Sequence, residues 1–461
     1  MKVASTFWET DWLGSRPIFY NEKTSQVSDN INEVIDLTDV AIDPEGFNNY
    51  LDFGYSVLEQ TPIKNVKFLR HSSRLHKDEK GKLSVEYLDD PVEKWLDYRL
   101  SEGDVFDLIR NRVQKWERSV TGEIVIPTSG GYDSRLLNWC IEDKSRIRSF
   151  TYGASDDQAE SYEVVYARKI SEILGTRWEH ILLGDFLQYL GDWDALFGIS
   201  THAHGMYHFE FYKKILEKVD GCNPFLSGII GDAWAGSVDL PVFKSSADVK
   251  RLGYTHGLNA DSTHSRFTHA ESFVSAYWYK QKERMEDPRM RVVEAMRFKI
   301  ILLCYLRRVP EALGFRWWTP FLDIDICMAM LNLPANRRRD RIWQKEFFKK
   351  VGLDVESMGL RSTRQNSINQ QALCRIPLNP LDYDLLDMLV EPSYVESINR
   401  ELSKTLSRRW FRHLAAWLRQ RRGGWRLSQY CDNKDKRHID AYFAYMTLLP
   451  IQNLLQRCTR S

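Results

Sequence analysis

Two adjacent glycines between a serine and an Asp-Ser pair, in PTSGGYDSR at 127–135, are the residues best placed to do chemistry. The apolar stretch EIVIP leads into them and an apolar helical pattern, RLLNWCIE, leads out. Lacking a Cβ, the glycines let backbone approach a ligand closely. The Ser129 and Ser134 hydroxyls and the free N–H groups at the start of the helix suit phosphate oxygens. Asp133 would repel phosphate unless a cation stood between them, so it reads as a Mg²⁺ ligand. No GK[ST] follows, so this is not a Walker loop. A plain Gly-Gly turn capped by Asp or Ser is the alternative. Strand, SGGxDS and helix in succession favour nucleotide binding by Ser129, Gly130, Gly131, Tyr132, Asp133 and Ser134.

Two further groups of residues could carry chemistry. THAHGMYHF (201–209) holds His202, His204 and His208. On a helix His204 and His208 would share a face, a spacing that can bind zinc, but a third ligand and a general base are missing. Neutral histidines packed among aromatics, or lining an acceptor pocket, are the other readings. NRRRDR (336–341) and SRRWFRHLAAWLRQRRGGWR (407–426) are basic and aromatic, as for a polyanionic partner; a solvated helical face is the simpler reading.

The elements around the glycine turn alternate. After EIVIP come the strand RIRSFTYG (146–153), the helix EVVYARKISEILG (163–175) closed by Gly175, and the strand WEHILLG (178–184). This alternation predicts a doubly wound parallel sheet with ligands at the carboxyl ends of its strands. Before it lie short extended pieces: RPIFYNE (16–22), EVIDLTDV (33–40), NVKFLR (65–70) and KLSVEYL (82–88), with DEKG (78–81) as a hairpin turn. From 92 to 120 the spacing is helical, and beyond about residue 240 the pattern is mostly helical.

The 461 residues carry 64 Lys and Arg against 63 Asp and Glu, a net charge of +1 that removes the basic field of a nucleic-acid coat. No apolar run is long enough for a membrane span, and Glu9 and Asp11 interrupt any signal-like start. The seven cysteines are scattered without a CxxC pair, which points to reduced thiols in a cytoplasmic protein.

SGGYDS resembles the pyrophosphatase-type (PP-loop) turn of ATP-dependent enzymes that form adenylates. Within that group residues 95–370 are similar to the synthetase domain of asparagine synthetases and β-lactam synthetases. FTYGASDDQAESYEVVYARKISEILGT (150–176), FLSGIIGDAWAGS (225–237) and FRWWTPFLDIDICMAMLNLP (315–334) are similar to three further family segments, with PFLD strand-like before a helix. DWLGSRPIFY (11–20) and LDFGYSVLEQTPIKNVKFL (51–69) are similar to parts of the family's glutaminase domain. The resemblance implies a β-rich remnant of a class II glutaminase-like domain at 1–95, cut away at the front. No cysteine precedes Cys140, which excludes glutamine hydrolysis by a terminal cysteine. An ATP-binding synthetase domain would follow at 96–380, and a helical extension at 381–461.

The same resemblance implies ATP and Mg²⁺ as cofactors, Gly228 beside the nucleotide, and Asp232 as a second metal ligand. Ile229 and Ala233 stand where the family has a carboxylate and a Glu, and Arg316 and Trp318 stand where it has a Glu and an Arg. Arg361 and Arg364 stand where a lysine stabilises departing pyrophosphate. The implied activity is an AMP-forming carbon–nitrogen ligase. It would join a small-molecule or peptide carboxylate to an amine or ammonia, tailoring a peptide, natural product or surface sugar, with a protein partner as a possible supplier of substrate. A catalytically degenerate nucleotide-binding scaffold and an RNA-modifying adenylating enzyme are the alternatives; the balanced charge disfavours the second.

Overall fold

The computed structural model describes residues 6–253, 259–405, 414 and 425–459, with backbone alone for 425–435. Eleven strands fall into three sheets among these residues. The amino-terminal part holds β1 (Thr6–Glu9), β2 (Phe19–Asn21), β3 (Val27–Ser28), β4 (Val66–Phe68), β5 (Ser73–Lys77) and β6 (Leu83–Tyr87). They make two small antiparallel sheets, in the orders β1-β5-β6 and β3-β2-β4. DEKG forms the expected hairpin turn between β5 and β6. The Gly81 amide donates to the Asp78 carbonyl (2.9 Å), and the Asp78 carboxylate accepts from the Lys80 and Lys82 amides.

EVIDLTDV is not a strand. Ile31–Glu33 form a single 3₁₀ turn whose cap, the Asn30 side chain, accepts from the Asn32 amide, and Asp36 Oδ1 takes the Thr38 amide. These short polar side chains offer the backbone local partners that outcompete a ladder.

The third sheet is parallel throughout, in the order β11-β10-β7-β8-β9: β7 (Ile124–Pro127), β8 (Ile147–Thr151), β9 (Arg177–His180), β10 (Pro224–Leu226) and β11 (Arg316–Trp318). Ile124, Val125 and Ile126 are fully buried, as an interior strand covered on both faces requires. The helix Glu102–Ser119 begins with a capping box between Ser101 and Asp104 and buries Val105, Phe106, Ile109 and Val113. The helix Tyr162–Leu174 ends at Gly175, whose φ of 68° supplies the left-handed stop.

The last strand lies one step upstream of its expected place. Arg316–Trp318 form β11, while Pro320–Leu322 make a 3₁₀ turn capped by Thr319 before the helix Ile324–Leu331. Pro320 has no N–H to give a ladder, so the strand stops before it. One continuous apolar core takes in Trp12 and Phe47 from the amino-terminal part, Ile126 and Phe225 from the parallel sheet, and Tyr442 and Leu454 from the helix Trp425–Cys458. No helix among the described residues is long and apolar enough to cross a membrane.

Candidate active site

The chain leaves β7 toward β8 and β9 on one side, then returns to lay β10 and β11 on the other. The strand order therefore reverses between β7 and β10, and a crevice opens at the carboxyl ends of strands where an order reverses. The glycine turn follows β7 and the second loop, Ser227–Asp232, follows β10. The two loops interlock: a Cβ on Gly231 would lie 2.9 Å from Asp133 Cγ, and one on Gly228 would lie 3.3 Å from Asp133 Cβ.

The turn is held open by its own side chains. The Ser129 amide donates to Ser134 Oγ (3.1 Å), the Ser134 hydroxyl donates to the Ser129 carbonyl (3.3 Å), and the Gly131 amide donates to Ser129 Oγ (3.1 Å). Both hydroxyls therefore have partners inside the loop. The amides of Gly130, Tyr132 and Asp133 have no protein acceptor among the described residues, and they are the donors available to a phosphate. Gly130 is glycine for a packing reason: a Cβ there would come within 2.9 Å of Tyr166 Cβ on the helix Tyr162–Leu174.

Arg135, the last residue of the motif, is fully buried. It donates to the Gly130 carbonyl (2.8 Å) and makes a two-pronged pair with Glu356 (2.7 and 2.9 Å). Its rigid fork fixes the turn against the segment at 353–356.

Asp133 and Asp232 meet where the two loops touch. The Asp133 carboxyl is buried, its Oδ1 has no hydrogen-bond partner, and its neighbours include the Asp232 carboxylate and backbone N–H. Burial first, and Asp232 second, raise the Asp133 pKa well above the ordinary 3.8. Asp232 is exposed and accepts from the Ser237 hydroxyl (2.8 Å). Lys299 lies within electrostatic reach of Asp232; burial lowers its pKa and Asp232 draws it back up.

A buried carboxylate oxygen without a partner, facing a second carboxylate, fits a divalent cation. No group of three or more His, Cys, Asp or Glu gathers as a ligand set among the described residues. Two carboxylates suit Mg²⁺, which takes one or two protein carboxylates and completes its shell with phosphate and water. Ile230, at the crest of the second loop, is β-branched yet has a φ of 49°. Such left-handed strain costs about 1–3 kcal/mol and concentrates at functional sites.

Two spaces open on either side of the turn. One, of about 820 Å³, is lined by Gly130, Gly131 and Tyr132 together with Arg341, Lys345, Lys349 and Arg364. Of its four carboxylates, Glu356 is paired with Arg135 and Glu346 with Arg337, so the four cations face only Asp340 and Asp354. The Arg341 guanidinium sits 4.7 Å from the Tyr132 ring centre, and that of Arg364 sits 5.2 Å from the Tyr162 ring centre. Asp340 and Arg341 both have positive φ, 53° and 55°.

Arg364 owes its place to backbone bonds: the Tyr162 amide donates to the Thr363 carbonyl, and the Thr363 amide donates to the Glu160 carbonyl. Arg361 is exposed and lines neither space. Lys345 and Lys349 were not singled out from the sequence, and Arg341 was read only as the end of the basic run 336–341. Their signal is the four-residue spacing that puts them on one face, at the start of and along the helix Ile342–Lys350.

The other space, of about 410 Å³, reaches from Ser129, Asp133 and Ser134 past Thr151 and Gly228 into an aromatic end. Tyr152, Tyr207, Tyr212, His204, His208 and Ile229 line that end. Apart from Asp133, its one carboxylic acid is Glu163, whose pKa burial raises, and it holds no Lys or Arg. The Tyr207 hydroxyl lies close enough to those of Tyr152 and Tyr305 for each to temper the rise in its pKa that burial causes. Burial drives the His204 pKa down to about 4 and that of His208 to about 3, so both stay neutral.

The shared helical face expected for these histidines does not form. The helix begins at Tyr207, and His202 and His204 precede it with their rings stacked at 5.5 Å. His202 is fully buried and lines neither space. Trp318 stacks on Trp116 at 5.0 Å, and the Arg316 guanidinium donates to the Cys222 carbonyl; neither lines the two spaces. The basic run 407–426 lies almost entirely outside the described residues.

Compared with known protein families and with curated proteins, the chain matches no family model and no curated sequence.

Proposed function

We propose that this chain is an ATP-dependent, Mg²⁺-requiring ligase of the PP-loop kind. It would activate a carboxylate as its adenylate and pass the acyl group to an amine or ammonia, releasing AMP and pyrophosphate. The observation that carries this reading is the Asp133–Asp232 pair, set at the point where the strand order reverses and between a cationic cleft and an aromatic cavity that holds no Lys or Arg.

The chain's residues divide the work. The free amides of Gly130, Tyr132 and Asp133 hold phosphate oxygens, and Arg135 keeps the turn in the shape that aims them. Asp133 and Asp232 would hold Mg²⁺ against the phosphates. When bound, the ion supplies charge neutralisation on the departing pyrophosphate. Arg341, Lys345, Lys349 and Arg364 offer the same compensation from the cleft side, where pyrophosphate would leave. The substrate carboxylate is itself the nucleophile at the α-phosphorus. The site therefore has to align and to exclude water more than to attack. The aromatic end suits both tasks and presents no cation to an acidic side chain, which disfavours aspartate as the acyl substrate.

Exchange of labelled pyrophosphate into ATP, with Mg²⁺ and pools of carboxylic acids but no amine, tests the adenylation step. Exchange supported by at least one pool is expected. Its absence with every pool, while ATP still binds, would instead favour a nucleotide-binding scaffold. The observation behind that second reading is that buried Ile229 and Ala233 occupy the positions where the resemblance expects carboxylates.

A further inference from the structure

A second cavity, of about 200 Å³, lies away from the glycine turn. It opens between the amino-terminal sheets and the helices Ser272–Gln281 and Pro288–Phe298. Its walls are mostly apolar: Leu13, Phe68, Leu69, Phe298, Ile300 and Ile301. An engineered cavity of about 150 Å³ accepts benzene, so this one has room for a single ring with a small substituent.

Its polar groups are arranged as a floor and a mouth. The floor is a closed network in which Arg297 donates to Glu294 (2.9 Å) and to both oxygens of Asp90 (2.7 and 2.8 Å), and the Tyr277 hydroxyl donates to Glu294 (2.6 Å). Arg284 adds a second cation on Asp90, so the charges of the floor balance. The mouth is not closed. Arg70 Nε is buried without a hydrogen-bond partner, and its nearest carboxylate, Glu59, stands 3.9 Å away. The His71 side chain lines the cavity with Nδ1 buried and unpartnered. Burial holds the His71 pKa down to about 3, so the ring is neutral and can donate one hydrogen bond.

Arg70 and Lys280 both lie over the exposed Tyr87 ring, at 4.1 and 5.0 Å. Together with Glu59 they leave one positive charge at the mouth. Two residues of its lining, Leu58 and Glu59, hold left-handed backbone, as does Ser72, which follows His71.

The geometry points to a second small-molecule site in this cavity, taking a monocarboxylate with a single-ring apolar body. The ring would fill the apolar walls and the carboxylate would meet Arg70, His71 and Lys280. A buried donor left unpaired costs about 1–3 kcal/mol, and a carboxylate oxygen supplies the missing acceptor where a neutral group supplies less.

Fluorine NMR titration of the whole chain with 4-fluorobenzoate and its neutral isostere 4-fluorobenzamide tests the site. The benzoate is expected to bind about tenfold more tightly than the benzamide, the worth of one charge-assisted hydrogen bond. Arg70→Met and Lys280→Met should each weaken it severalfold. Asp133→Ala and saturating Mg·ATP should leave it unchanged, which keeps this site distinct from the one after β7. Absence of saturable benzoate binding, equal affinity for the two probes, affinity unmoved by both mouth substitutions, or displacement by Mg·ATP would each overturn the proposal.

Discussion

The cleft and the cavity on the two sides of the glycine turn share one loop and differ in almost everything else. The cleft presents Arg341, Lys345, Lys349 and Arg364 around a wide polar space. The cavity presents tyrosines and two histidines that burial keeps neutral. A site that only stored nucleotide would have no use for both. Opposite character on two sides of one glycine turn suits the proposed reaction, whose products separate, a polyanion leaving one way and the acyl group held the other.

The largest expected effect comes from the residue between the two sides. Asp133→Asn should lower AMP-forming turnover by about a thousandfold, because it removes the carboxylate that would hold the cation. Its effect on stability should run the other way. Asp133 binds its proton more tightly when folded than when unfolded, so it costs the apoprotein stability as pH rises above 3.8 toward the raised value. The Asn variant should therefore match or exceed the parent Tm near neutral pH, by about 1–3 °C, and should lose the stabilisation by Mg·ATP. Calorimetry with and without Mg·ATP checks both.

On the cleft side, Arg341→Ala should cost about 10- to 100-fold in turnover, the worth of a lost charge-assisted contact. Steady-state rates across a salt series check this, since the remaining cations should then matter less.

On the cavity side, Ile229→Glu places a carboxylate among aromatic rings. It should weaken the non-nucleotide substrate by about tenfold or more while ATP affinity stays constant. His208→Phe removes a neutral polar group from the same wall and should raise the KM of that substrate by about three- to tenfold, again without moving ATP binding. If either change shifts ATP affinity instead, the cavity serves the nucleotide alone. The smallest effect belongs to Arg361→Ala, expected to stay within about twofold of the parent rate because the side chain is exposed and outside both spaces. Arg364→Ala should exceed it.

The strands β7, β8 and β9 were legible because an apolar IVI run and two further extended pieces alternate with helices that carry 3.6-residue patterns and strong stops such as Gly175. The hairpin at 78–81 was legible from its Asp and Gly. EVIDLTDV misled because alternation says nothing about local side-chain capping by Asn30 and Asp36. PFLD misled because it was matched as a unit, although Pro320 pushes the ladder back onto RWW. At the site the glycine turn was legible as a local motif, and Asp232 through its segment. Arg135 was in view, but its pairing with Glu356 joins residues 221 apart in sequence. The basic run ending at Arg341 reads in sequence as one patch. In the fold Arg337 pairs with Glu102 and Glu346, Arg338 is buried on the Leu333 carbonyl, and Arg341 turns into the cleft.

The central claim is that Asp133 serves cleavage of ATP between its α- and β-phosphorus atoms. The most direct measurement is the mass of the ATP products formed with Mg²⁺ in a small-metabolite extract, comparing the parent chain with Asp133→Ala. AMP and pyrophosphate from the parent, lost in the variant, are predicted. ADP and phosphate from the parent, or AMP formed equally well by the variant, would contradict it.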